Sequence, residues 1–160
     1  MVIAISKLLS REFQHVQTEL SQMSEACHKE GAILKVILET AYLTDELKII
    51  ACRCCERAEV DFVKTSTGFA PSGYTMEDLK LLRKYLPEGI GIKAAGGLRT
   101  VDDVLAVHAG LFADRHDGHG GDSGRMEGAD REWGGNERVK RSRATSAPNG
   151  RRVPAGPASR

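Results

Sequence analysis

Aromatic residues make up only 5% of this 160-residue chain, with a single Trp, and nowhere do about 18 apolar residues run together. Met1 to Ser6 lack a cationic leader followed by a long apolar stretch, so neither a signal peptide nor a membrane span is expected. The expected location is cytoplasmic. No sign of charge dominates: 23 Lys and Arg stand against 22 Asp and Glu. That balance removes the global field that draws proteins onto nucleic acid or anionic lipid. Cysteine is sparse and badly placed for a disulfide framework, because three of the four (Cys52, Cys54, Cys55, with Cys27 apart) crowd into one short stretch. Cys52 and Cys55 form a C-x-x-C, but no second such pair or nearby pair of histidines completes a tetrahedral site. Reduced thiols packed as small apolar groups are the simpler reading, and no metal is expected at these cysteines.

What is present falls into two regions. Before residue 113, apolar residues recur with clear periods. From Ala113 to Arg160 the chain holds 9 Gly, 9 Arg and 1 Lys against 7 acidic residues, a net of +3, with almost no large apolar side chains. Such a segment cannot bury enough surface to offset its ordering entropy. It reads as a disordered Gly/Arg-rich tail (113–160) after a folded domain (1–112).

Within 1–112, residues 2–5, 33–38, 61–64 and 91–94 read as buried strands. Between them Phe13, Val16, Leu20, Met23 and Cys27 repeat at helical spacing. Leu47, Ile50, Cys54 and Ala58 do the same, as do Leu79, Leu82 and Leu86, and then Val101, Val104 and Leu105. Ser10, Thr44, Thr75 and Thr100 stand at N-cap positions, with capping boxes expected at Thr75–Asp78 and Thr100–Asp103. Gly31 suits the end of the first helix. Strand starts near 2, 33, 61 and 91 repeat at the length of a βα unit, which implies a parallel sheet. No G-x-G-x-x-G follows the first strand, which weakens a doubly wound fold. The expected fold is therefore α/β, a partial (β/α)8 TIM barrel of about four βα units, since a whole barrel takes about 250 residues.

In such barrels reactive groups sit where strands end and βα loops begin. Two strand ends here carry a lysine: Lys64, followed by Thr65-Ser66-Thr67-Gly68-Phe69, and Lys93, followed by Ala94-Ala95-Gly96-Gly97-Leu98-Arg99-Thr100. If both enter the barrel mouth, each ammonium opposes ionisation of the other, and a neutral amine can attack an aldehyde. The hydroxyl- and Gly-rich turns offer backbone N–H groups near helix N-termini, a place for phosphate. A phosphorylated aldehyde is the implied substrate. A strand-end lysine is usually just a solvated residue, and Gly96-Gly97 is more often an ordinary tight turn than a phosphate cradle. His15, His28 and His108 fall on helices and read as surface residues.

The strings Lys64-Thr65-Ser66-Thr67-Gly68 and Lys93-Ala94-Ala95-Gly96-Gly97-Leu98-Arg99-Thr100 resemble the paired lysine signatures of the deoxyribose-phosphate aldolases, class I Schiff-base lyases. The likeness extends back through Leu34-Lys35-Val36-Ile37-Leu38-Glu39-Thr40 to Met1-Val2-Ile3-Ala4-Ile5, covering about residues 1–110. It implies reversible cleavage of 2-deoxyribose 5-phosphate to glyceraldehyde 3-phosphate and acetaldehyde, in deoxyribonucleotide catabolism and without a cofactor. Lys64 matches the imine-forming lysine and Lys93 the second lysine of the proton transfer. Lys35 matches a supporting lysine inside the barrel. Gly68, Gly96 and Gly97 match turns that approach the phosphate, and Thr67 lies among them. The partner is then a small phosphosugar, with no nucleic acid and no membrane, and with homo-oligomerisation open.

The resemblance also carries departures. In the family an aspartate of the proton relay immediately precedes the Met-Val-Ile string, which implies truncation at the N-terminus. Ala4 stands where asparagine is common, and Phe69 where some members have lysine. After Ala109-Gly110 the family pattern stops, and a one-nucleotide shift over 114–135 can encode a small-residue strand and an amphipathic helix like the family's last. A frameshift near the C-terminus is therefore expected. The competing reading is an inactive fragment, or a non-catalytic interaction protein using Arg138 to Arg152 toward an anionic partner.

Overall fold

A computed structural model describes residues 1–112 of the chain; the tail expected from 113 onward lies outside the described residues. The elements are α1 (Ile5–Leu9), α2 (Phe13–Lys29), β1 (Lys35–Ile37), a 3₁₀ turn (Thr40–Tyr42), α3 (Asp45–Arg57), β2 (Phe62–Lys64), α4 (Met76–Tyr85), β3 (Gly91–Lys93) and α5 (Val101–Phe112). The strands form one parallel sheet in chain order, β1-β2-β3, with Val36 opposite Val63 and Val63 opposite Ile92. Consecutive helices touch, α2 on α3, α3 on α4 and α4 on α5. A doubly wound sheet would reverse its strand order and send helices to both faces. Unreversed order with one helical layer is instead an arc of a (β/α)8 barrel.

The core lies between sheet and helices. Val36 and Val63, the central residues of β1 and β2, are fully buried together with Leu38, Leu79 and Leu82. Side chains alternate across a strand, so Lys35, Ile37, Phe62, Lys64, Gly91 and Lys93 take the other face. That face is open: Phe62 remains 36% exposed.

The strand expected at 2–5 contracts to a single parallel bridge, Val2 to Ile37. Ile37 N–H donates to the Met1 carbonyl at 2.9 Å and Ile3 N–H to the Ile37 carbonyl at 3.0 Å. The chain then turns at Ala4 into α1, which buries Leu8 completely. One apolar run thus serves two elements. Ser10, expected as an N-cap, is the C-cap of α1, and α2 starts after Glu12 with no side-chain cap.

The other helix boundaries follow local chemistry. At the end of α2, Gly31 (φ +70°) donates to the His28 carbonyl and Ala32 N–H to that of Cys27, a Schellman closure. Thr44, Thr75 and Thr100 accept from Leu47, Asp78 and Asp103 N–H respectively. Asp103 returns the bond to Thr100 N–H at 2.9 Å, completing one capping box. Asp78 turns instead to Lys48 of α3. His28, expected as a plain surface residue, contacts Asp61 at 2.9 Å across the joint between α2 and β2. That bond and the 2.7 Å bond from Leu34 N–H hold the Asp61 carboxyl below its usual range.

Cys52, Cys54 and Cys55 are buried on α3. Burial pushes Cys52 and Cys54 up to about 12, and Cys55 well above its ordinary value. Since the thiolate is the nucleophile, a maleimide at pH 8 is expected to label only Cys27 in the native chain and all four thiols in denaturant. Intact mass after brief labelling checks this, and rapid native labelling of three or four thiols would contradict the packing.

Candidate active site

β1, β2 and β3 all end on one side of the sheet, and the three turns that follow are stitched together. Leu38 N–H donates to the Lys64 carbonyl, Thr40 N–H to that of Thr65, and Thr65 N–H to that of Lys93. Thr65, fully buried, exchanges hydrogen bonds with Ala95: Ala95 N–H donates to Oγ1 at 3.0 Å and Oγ1 donates to the Ala95 carbonyl at 3.1 Å. The Ser66 hydroxyl donates to the same carbonyl. The small hydroxyl residues after Lys64 therefore bind one turn to the next.

On the open face the strand register sets two rows. Lys64 is the Cα partner of both Ile37 and Lys93, and Phe62 of both Lys35 and Gly91. The rows are successive same-face positions, about 7 Å apart along the strands. Lys64 and Lys93 thus stand side by side on adjacent strands at the C-terminal rim, about 4.8 Å apart at the backbone. Lys35 lies one row deeper, its Nζ 5.5 Å from the centre of the Phe62 ring. That ring covers Gly91, where a Cβ would come within 2.3 Å of it. The structure thus brings Lys64 and Lys93 together and leaves Lys35 on Phe62.

Thr67 and the glycines sit in the turns above this rim. Gly68, Gly96 and Gly97 have φ of +101°, +82° and +101°. Gly96 is also closely approached: a Cβ there would lie 2.7 Å from Gly73 Cα and 2.8 Å from Ser66 Oγ. Tyr74 N–H donates to the carbonyls of Ala95 and Gly96, which draws the long turn after β2 over the turn after β3. The Gly96-Gly97 pair thus has a conformational reason of its own.

Glu39, which the sequence pattern did not single out, occupies the turn after β1. It is 4% exposed and has a left-handed φ of +54°. Its carboxylate accepts Thr67 N–H at 3.0 and 3.2 Å, and also the Thr67 hydroxyl proton. Phe69 N–H in turn donates to Thr67 Oγ1 at 3.2 Å. A left-handed non-glycine residue pinned by several bonds is the kind of outlier found at functional sites.

Among the described residues no three His, Cys, Asp or Glu side chains gather as a metal site. No helix of the described residues is long and apolar enough to cross a membrane. The arrangement offers paired amines at a strand-end rim, backbone N–H groups in Gly-rich turns, and one buried carboxylate holding a hydroxyl.

Comparison with known proteins bears on this geometry. The model of the DeoC/LacD family aldolases matches residues 1–125. Deoxyribose-phosphate aldolase of Caldanaerobacter subterraneus subsp. tengcongensis is 50% identical over 108 residues, covering 67% of this chain and 47% of that protein. That of Thermococcus kodakarensis is 45% identical over 107 residues, covering 67% and 48%. Among solved structures, the aldolase QR15 superposes with a TM-score of 0.63 at 35% identity, covering 68% of this chain and 48% of that one. The tetrameric deoxyribose phosphate aldolase of Aeropyrum pernix gives 0.56 at 32% identity, covering 62% and 42%. The chain spans about half the length of the curated relatives it matches.

Proposed function

The chain belongs to the DeoC/LacD family of aldolases, and from that premise we propose that it carries the Schiff-base centre of a deoxyribose-phosphate aldolase. The observation that carries the reading is the register pairing of Lys64 with Lys93 at the C-terminal rim of the sheet. In the cleavage direction, Lys64 Nζ adds to the C1 aldehyde of 2-deoxyribose 5-phosphate and water leaves, forming an imine. A base removes the proton of the C3 hydroxyl and the C2–C3 bond breaks. C3 departs as the aldehyde of glyceraldehyde 3-phosphate, while the electron pair moves through C2 into the imine to give an enamine. Protonation at C2 and hydrolysis then release acetaldehyde and restore Lys64. Lys93 is the proton-transferring neighbour, Lys35 supports from the row below, and the turns at Thr67, Gly68, Gly96 and Gly97 face the phosphosugar.

The substrate is thus a small phosphosugar, handled in the cytoplasm, with no metal or organic cofactor in the chemistry. Association with further chains is part of this reading. Among the described residues Val2 bridges to β1 on one side only, β3 is the last strand of the order, and Val101, Val104 and Leu105 of α5 are exposed. The half-open inner face also favours the competing reading, an inactive fragment, and one experiment separates the two. Borohydride reduction in the presence of 2-deoxyribose 5-phosphate is expected to leave a mass adduct on the chain that Lys64→Ala abolishes. No adduct, under conditions that label the full-length Thermococcus kodakarensis relative, would mean that the lysines of this chain form no working centre.

A further inference from the structure

Thr67 lies three residues beyond Lys64 and carries the one hydroxyl of that turn whose proton goes to a carboxylate. A threonine hydroxyl has one proton to donate and two lone pairs to accept with. Here the proton is committed to Glu39, and one lone pair receives Phe69 N–H at 3.2 Å. What remains is a single acceptor position. The Thr67 backbone N–H is also taken by Glu39, at 3.0 Å, so the residue has no donor left to offer an anion.

Glu39 itself is held for this task. It is buried, its backbone is left-handed, and the next residue, Thr40, is tied to the turn after β2 by its N–H bond to the Thr65 carbonyl at 3.0 Å. A carboxylate in that position accepts only, so it cannot let the Thr67 hydroxyl turn round and become a donor while the bond lasts. An amide at position 39 could donate to Thr67 Oγ1 and reverse the polarity.

We infer that Glu39 is a positioning residue that fixes Thr67 as a hydrogen-bond acceptor, so that the site reads a hydroxyl of the imine-bound sugar and not its phosphate. The inference rests on the Schiff-base reading of Lys64 and adds to it a specificity for hydroxylated over plain aldehydes. A site built to bond a substrate hydroxyl rejects the analogue lacking it, because its own polar group is then left unpaired.

The test compares borohydride trapping of the full chain by 2-deoxyribose and by pentanal, which share a carbon count and differ in hydroxyls. Two-carbon cleavage adducts are counted with intact ones, and the ratio of the two yields is taken within each variant. Glu39→Gln and Thr67→Val are each expected to lower the deoxyribose-to-pentanal ratio about tenfold, with Thr67→Ser keeping it. Pentanal trapping at Lys64 measures, within each variant, how far folding and access to the amine survive, so the ratio reads the hydroxyl alone. An unchanged ratio in Glu39→Gln, or an equal loss with both aldehydes, would overturn the inference and leave Glu39 as a purely structural clamp. Trapping by neither aldehyde in the parent chain would overturn the Schiff-base reading and this inference with it.

Discussion

Replacing Lys93 by Met is expected to slow imine trapping at Lys64 by about 10²- to 10⁴-fold, the contribution typical of a positioned proton-transferring group. The two residues are Cα partners at the ends of neighbouring parallel strands, and their side chains leave the same face of the sheet. Imine formation requires a proton to leave the attacking amine and another to reach the departing oxygen, and a second amine beside the first can do both. Methionine keeps the length and packing of the lysine stem while deleting that amine. Lys93→Arg keeps a positive charge in the row but holds its proton too tightly to transfer it, so it should be nearly as slow. Lys35→Met is the contrasting case, because Lys35 lies a row deeper with its Nζ over Phe62; a few-fold effect is expected there. Time courses of borohydride trapping, followed by intact mass, give all three rates. Parent-like trapping in Lys93→Met would remove Lys93 from the chemistry and leave the register pairing without consequence.

The parts of this architecture legible from sequence are those with a local cause. Continuous apolar runs at 33–38, 61–64 and 91–94 became β1, β2 and β3, shorter by a residue or more. Helical spacing placed α2, α3, α4 and α5, and Thr44, Thr75 and Thr100 cap where threonine should. The run at 2–5 misled because periodicity does not distinguish a buried strand from the first turn of a buried helix; Ile3 serves the sheet edge and Leu8 the helix core. Ser10 was misplaced for the same reason, since a cap is defined by the helix it ends. The placement of Lys64 and Lys93 is legible because both residues end a strand, where the βα loops begin. Glu39 was not, because its partner Thr67 lies 28 residues away and nothing within either short segment marks a carboxylate that will be buried against a distant turn. Lys48 and Asp78 share that property.

That second long-range pair sets a large stability effect among the described residues. Lys48 of α3 and Asp78 of α4 meet at 2.6 Å with side chains only 11% and 9% exposed. Lys48 also contacts Asp45 at 2.9 Å. Burial alone would lower the Lys48 ammonium, but hydrogen bonds to Asp78 and Asp45 outweigh it and hold the group above its ordinary value. Asp78→Ala removes the shorter partner and leaves a desolvated ammonium between two helices. Breaking one side of a buried pair costs about 3–5 kcal/mol, and the surviving Asp45 contact puts this case near the lower end. A loss of about 3 kcal/mol is a large share of the stability of a small domain, so the denaturant midpoint should fall sharply in urea. Lys48→Met with Asp78→Leu together should be milder than either single change, because no unpaired charge is left behind. The sign of the pH dependence follows from the raised lysine. Its contribution is fully present below the unfolded value near 10.5 and fades only as pH climbs through the higher folded one. Urea titrations between pH 6 and 9 should therefore show the same parent-minus-Asp78→Ala difference throughout. A difference below about 0.5 kcal/mol would mean that the two helices repack or hydrate around Lys48 and that this bridge does not set how α3 and α4 lie against each other.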